Sequence, residues 1–179
     1  MKFKVFSIAI VFLLAFGVLM MQTAPVAAQS SGPEGGVRDK INQMREGVLE
    51  RTYQRELNWL AAQEDHLNNA RTFASKGREL MEKARQKGLD VSALEQAFNT
   101  FDSAITAAQG HHDRAAAVLN THAGFDNNGK ATDPQAAKQT VEQAYRALSD
   151  AHLTLQKGVI EMRQALRAWR DAHRPQTQP

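Results

Sequence analysis

Cysteine is absent from all 179 positions of the sequence. Its absence excludes disulfide bridges, thiolate ligation of zinc or iron–sulfur clusters, cysteine nucleophiles and lipid attachment to an N-terminal cysteine. Proline and glycine are scarce, at five and eleven, too few for a collagen-like or low-complexity chain. Hydrolytic signatures are missing as well: there is no nucleophile elbow, no His-Glu-x-x-His pair and no phosphate loop, so the sequence points away from an enzyme. What is present, 42% hydrophobic and 23% charged residues, is the composition of one soluble domain.

The formal charge of +3 includes Lys2 and Lys4 at the extreme N-terminus. An uncharged apolar run from Val5 to Met21 follows, then the polar break Gln22-Thr23 and Ala24-Pro25-Val26-Ala27-Ala28-Gln29. A positive head, an apolar middle and small residues before the cut make residues 1–28 a secretory signal peptide, with Val26 and Ala28 placed for cleavage after Ala28. The expected mature chain begins at Gln29 and is secreted or periplasmic. Without the two head lysines, basic residues exceed acidic ones by a single charge, too little to support nucleic-acid binding, which needs a concentrated basic face. Because the apolar run approaches the length of a membrane span, an uncleaved anchor is the alternative, the case in which the chain itself is held to a membrane.

After a flexible leader over 29–36, which holds Gly32-Pro33 and Gly35-Gly36, the chain turns charged and periodic. Apolar residues recur mostly in steps of three and four at Val37, Ile41, Met44, Val48, Leu57, Leu60, Leu67, Ala70, Ala74, Met81 and Ala84, predicting a first helix over about 37–87. Gly47 and Gly77 are the points where it would break, and a break near Gly47 would create a short fourth helix. Lys83, Arg85 and Lys87 before Gly88 mark its C-terminus. Ser92 with Glu95 has the capping-box spacing, with Asp90 an equal candidate for the cap. A four-three alternation from Leu94 through Phe98, Phe101, Ile105, Ala108, His112, Ala115 and Leu119 to His122 then predicts a second helix over 92–122. Asn128-Gly129 marks a loop, and Asp133-Pro134 starts a third helix running to about 173 on Val141, Ala144, Leu148, Leu155, Val159, Met162, Leu166 and Trp169. Residues 175–179 read as a disordered tail.

The period-two alternation of a half-buried strand is nowhere found. The fold class is therefore all-α, an antiparallel up-down-up three-helix bundle over 37–174 with a long first helix. Centring the first turn near residue 89 sets residue i of the first helix level with residue 178 minus i of the second. The stretch from Val37 to about Arg55, roughly 27 Å at 1.5 Å per residue, then has no partner. Its stripe Val37, Ile41, Met44 and Val48 is the candidate interface. Three coverings are open: a fold-back at Gly47, the same stripe of a second copy, or a foreign helical or membrane surface.

Six histidines are the side chains that invite metal or haem chemistry. By the same register His66 is level with His112, with His111 adjacent, and an imidazole pair plus a carboxylate is a workable first shell for a transition metal. The opposing reading makes His112 a seam residue and His111 a solvated one. Asp126 to Asp133 looks like a calcium loop, but counting from Asp126 glycine falls at position four and Ala137 at position twelve, so a helix-capping turn explains it. The exported, cysteine-free helical layout resembles small periplasmic helical proteins, among them cytochrome b-type haem bundles and stress chaperones with a Leu-Thr-x-x-Gln motif. Leu153-Thr154-Leu155-Gln156 is one residue short of that motif, and no functional residue transfers from either family. The function expected is non-enzymatic protein–protein binding or self-association at the cell envelope, with no resident cofactor and either an unidentified protein partner or a homodimer. The alternative is an extracytoplasmic metal- or haem-binding bundle built on His66, His111 and His112.

Overall fold

The computed structural model describes residues 34–173. The segments expected to be a signal peptide (1–28) and a disordered tail (175–179), and most of the expected leader, lie outside the described residues. Three helices form the fold among those described: α1 (Glu34–Gln86), α2 (Ser92–Asn120) and α3 (Pro134–Ala172). They run up, down and up. Helix α1 has 53 residues, about 80 Å at 1.5 Å per residue.

The alternative of a break at Gly47 does not occur: α1 is one helix, as its periodicity indicates, and passes through Gly47 and Gly77 without interruption. A glycine inside a helix costs only about 1 kcal/mol relative to alanine, too little to stop a helix held by its other residues. Gly77 has a packing role instead, since a Cβ there would lie 2.1 Å from the Phe98 ring. The helix also starts at Glu34, three residues before Val37, by the same small margin.

At the other end of α1, Gly88 (φ +79°) closes a Schellman turn. Its N–H donates to Arg85 O at 2.9 Å and that of Leu89 to Ala84 O at 3.1 Å, satisfying carbonyls the helix leaves open. The turn folds the chain back along α1, and the expected register slips with it. Tyr53 reaches Leu119 and Leu60 reaches His112, each six residues short of the partner that the turn-centred rule assigns.

The Ser92–Glu95 capping box is not made. Val91 occupies the N-cap of α2 without a side-chain bond, the Asp90 carboxylate accepts the Ser92 N–H at 2.9 Å, and Glu95 pairs with Arg85. Helix α3 starts as its sequence indicates: Asp133 Oδ1 accepts from Gln135 N (2.9 Å) and Ala136 N (3.1 Å), ahead of Pro134 at the first position.

Two hydrophobic clusters fill the interior. One holds Leu67, Ala74, Met81, Phe98, Phe101, Ile105 and Met162, near the α1–α2 turn. The other joins Tyr53, Leu119, Phe125, Ala137, Val141 and Ala144 at the opposite end. The second depends on the 121–133 loop. Phe125 stacks on Tyr53 with ring centroids 4.2 Å apart, and Ala131 N–H donates to Glu50 Oε1 at 3.2 Å. Gly124 (φ +83°) lies so close to α3 that a Cβ would meet Ala137 N at 2.0 Å. The loop thus covers α1 beyond the end of α2, shortening the uncovered part of α1 from the expected end at Arg55 to about Val48.

Candidate functional site

Three surfaces carry candidate chemistry, and α1 contributes to each. The first is its projecting end. From Arg38 to Arg45 every residue is exposed, and the candidate interface residues Ile41, Met44 and Val48 are 39%, 64% and 52% exposed. The side chain of Val37 lies outside the described residues. Glu34 to Val48 spans about 22 Å of helix beyond the point where the loop first touches α1. Both charge signs are interleaved along it, with Arg38, Lys40, Arg45 and Arg51 against Asp39, Glu46 and Glu50.

The second is a polar belt between the two hydrophobic clusters. Gln63 Nε2 donates to Leu148 O at 3.0 Å, and the His112 ring donates from Nε2 to Leu60 O at 3.2 Å. Nearby, Tyr53 Oη donates to Leu119 O at 3.1 Å. Each bond runs from a side chain of one helix to the backbone of another, so together they fix the height of α1 against the α2–α3 pair. Burial of the Tyr53 phenol raises its pKa. Glu56 is fully buried; its Oε1 takes Arg55 Nη2 at 2.7 Å, and its Oε2 meets no protein donor. Sequence periodicity misses this belt because Glu56 and Gln63 are polar. The signal was present all the same: 53, 56, 60, 63, 67, 70 and 74 keep the three-and-four rhythm, and 81 follows one heptad later.

The three histidines proposed as metal ligands are spread over different faces. His112 is buried between α1 and α2, with Nδ1 3.5 Å from Asp113 Oδ1 and Nε2 3.6 Å from Glu64 Oε2. His111 turns toward Arg114, with Nδ1 3.8 Å from Asp150 Oδ2. His66 faces the α1–α3 side, where it lines a recess with His152. Among the described residues no three His, Asp or Glu side chains are placed to hold one metal ion. His122, expected on the α2 seam, is exposed at φ +52° because the helix has already ended at Asn120.

The loop is self-sufficient. Asp126 Oδ1 accepts the N–H groups of Asn128 and Lys130, both at 2.8 Å, and the bond from the Lys130 backbone contributes most to lowering its pKa. Asp90 is held low in the same way, first by the Ser92 backbone N–H. At the far end of the bundle Trp169 Nε1 donates to Asp90 O at 2.6 Å, tying α3 to the α1–α2 turn.

The third surface is an apolar furrow between α1 and α3, with Phe73 and Ile160 exposed along it at 42% and 48%. Among the described residues no helix is long and apolar enough to cross a membrane. Compared with protein-family models, curated proteins and solved structures, the chain matches none. The fold therefore defines the class, an all-α three-helix bundle, and the surfaces must carry the functional reading.

Proposed function

We propose that this protein is a non-enzymatic, extracytoplasmic binding protein that associates through the projecting end of α1 with another helix, in the first instance that of a second copy. The carrying observation is the uncovered stripe itself. Ile41, Met44 and Val48 stand on one side of an unbroken helix, where an amphipathic stripe gains by burial against another surface. With α1 continuous, its own bundle does not supply that surface. The interleaved charges favour a like partner, since a second copy offers both signs to both signs. The location rests on the signal-peptide pattern of residues 1–28.

Light scattering on the purified mature chain tests this directly. The expected result is an oligomeric mass that falls to that of one chain when Ile41→Glu and Met44→Glu are combined, with helicity by circular dichroism unchanged. A wild-type mass of one chain at all concentrations would remove self-association.

A further inference from the structure

The furrow between α1 and α3 has a regularity that its loose packing does not require. Trp59, His66, Phe73 and Leu80 recur every seven residues along α1, and Tyr145, His152, Val159 and Leu166 do the same along α3. Because α1 and α3 run in the same direction, the two rows stay in step. At one end the Trp59 and Tyr145 rings lie 5.9 Å apart, closing the furrow. Beyond them His66, His152, Phe73 and Val159 wall a recess of about 660 Å³ floored by Phe101 of α2. A second recess of about 340 Å³ continues it past Leu80 and Trp169, sharing Phe73 and Leu166. From Trp59 to Leu80 the furrow extends about 30 Å.

Seven residues is the repeat that one α-helix presents to another in knobs-into-holes packing. Two parallel helices with their rows in step form a seat for one more helix, and the product is a four-helix bundle. Leu80 and Ile160, at 65% and 48% exposure, are the side chains such a helix would cover.

Charge decides which helix fits. The titratable groups lining the two recesses are His66, His152 and Arg163 in the larger and Lys76 in the smaller, and among the described residues no carboxylate lines either. Neither Lys76 nor Arg163 takes part in an ion pair among the described residues. On the same helices Lys83, Arg146 and Arg167 are likewise outside the ion pairs of the described residues, while Arg78, Arg85, Lys138 and Lys157 have carboxylate partners; what sets Lys76 and Arg163 apart is that they line the recesses. A second copy packed furrow to furrow would set Lys76 and Arg163 against their own duplicates, and the projecting end of another copy, with Arg38, Lys40, Arg45 and Arg51 against Asp39, Glu46 and Glu50, offers no net negative flank. The chain's own apolar N-terminal segment fits no better, since residues 1–33 contain no Asp or Glu and carry Lys2 and Lys4.

We infer that the α1–α3 furrow is a docking site for an amphipathic helix of another protein, with an apolar heptad stripe flanked by aspartate and glutamate. The site is distinct from the projecting end: it takes a foreign helix, and it stands whether or not the chain self-associates.

The probe is a synthetic peptide of about six helical turns, with leucine at the a and d positions and glutamate at e and g, beside an otherwise identical lysine-flanked peptide. Binding is read by titration calorimetry and by the fluorescence of Trp59 and Trp169. The full mature chain should bind the glutamate peptide, more weakly as salt rises, and prefer it to the lysine peptide by about tenfold. Lys76→Glu combined with Arg163→Glu, both at exposed or rim positions, should reverse that preference while circular dichroism stays unchanged. Phe73→Ala, which shortens an exposed wall residue, should weaken both peptides alike. No binding of the glutamate peptide, equal binding of the two peptides, or an unaltered preference in the double variant would each overturn the proposal. Displacement of the peptide by a long-chain fatty acid that binds more tightly than it would reassign the furrow to an anionic amphiphile, which also overturns it.

Discussion

The projecting end of α1 and the stretch that walls the furrow lie on one face of one helix. At 100° per residue, Ile41, Val48, Trp59, His66 and Phe73 fall within about 40° of one another, and the eleven-residue step from Val48 to Trp59 nearly returns to the same direction. They differ in their surroundings. At the projecting end no other described residue stands beside α1, and cations alternate with carboxylates; along the furrow α3 supplies a second wall, and the titratable groups of its apolar lining are cationic or histidine. Apolar exposure is similar in both, at 52% for Val48 and 42% for Phe73, so exposure alone does not distinguish the two. Neighbouring helix and charge pattern do, and they direct one surface to a copy of the chain and the other to an acidic foreign helix.

If the two ends of α1 differ this way, a glycine in each should respond oppositely to alanine. In the packed half, Gly77→Ala gains about 1 kcal/mol of helix propensity but drives a Cβ to 2.1 Å from Phe98, which is 1% exposed and has nowhere to move. Overpacking of a filled core typically costs about 1–3 kcal/mol, and an overlap this deep belongs at the upper end, so the net expectation is a loss of about 2 kcal/mol. Chemical unfolding in the Ile41→Glu, Met44→Glu background, which removes the proposed association, measures it without interference. A gain in stability would mean that α1 is not seated on α2 as described.

A smaller effect of the opposite sign is expected at the polar belt. Glu56→Met removes a fully buried carboxylate with an unpartnered oxygen and leaves Arg55, 55% exposed, to water. Replacing a buried ion pair by an apolar side chain of similar volume is often neutral or stabilising by about 1–4 kcal/mol, and here the exposed partner loses little. A gain of about 1 kcal/mol is expected from the same unfolding experiment. A loss greater than that would show that Glu56, with Gln63 and His112, holds α1 at its height and is more than a burden on the core.

Legibility followed the chemistry of each seam. The α2 seam was readable because Leu94, Phe98, Phe101, Ile105, Ala108, Ala115 and Leu119 are apolar at each step, and all of them are buried. Gly88, Asp133 and Pro134 were readable because backbone conformation and orphan N–H groups leave few alternatives there. The α1 core was legible from Leu67 onward and, ahead of it, at Leu57 and Leu60, which pack against the second cluster. Upstream, Tyr53, Glu56 and Gln63 hold seam positions that an apolar pattern skips, and the loop that buries Tyr53 through Phe125 is a tertiary contact that local sequence does not announce. The three histidines face different sides of the bundle for a related reason. Residue level alone does not fix side-chain direction, and a 100° turn per residue sends His66 to α3 while the neighbouring Leu67 faces the core. The furrow rows are not legible in the same way, because they form a second seam beside the first and mix His66 and His152 with apolar residues.

The smallest expected effect returns to the projecting end and completes the contrast. A Cβ at Gly47 would meet only the Arg51 guanidinium, at 3.5 Å, an ordinary contact with a side chain that swings freely. Gly47→Ala should therefore recover part of the propensity difference, up to about 1 kcal/mol. Only some of that gain will register in global unfolding, because this segment makes few tertiary contacts and frays on its own. Amide hydrogen exchange resolves it: protection should rise from about Arg45 to Arg51 and stay unchanged around Gly77. If self-association through Ile41, Met44 and Val48 uses a straight helix, the same substitution should tighten it slightly; if the partner needs a bend at Gly47, association should weaken while local protection still rises.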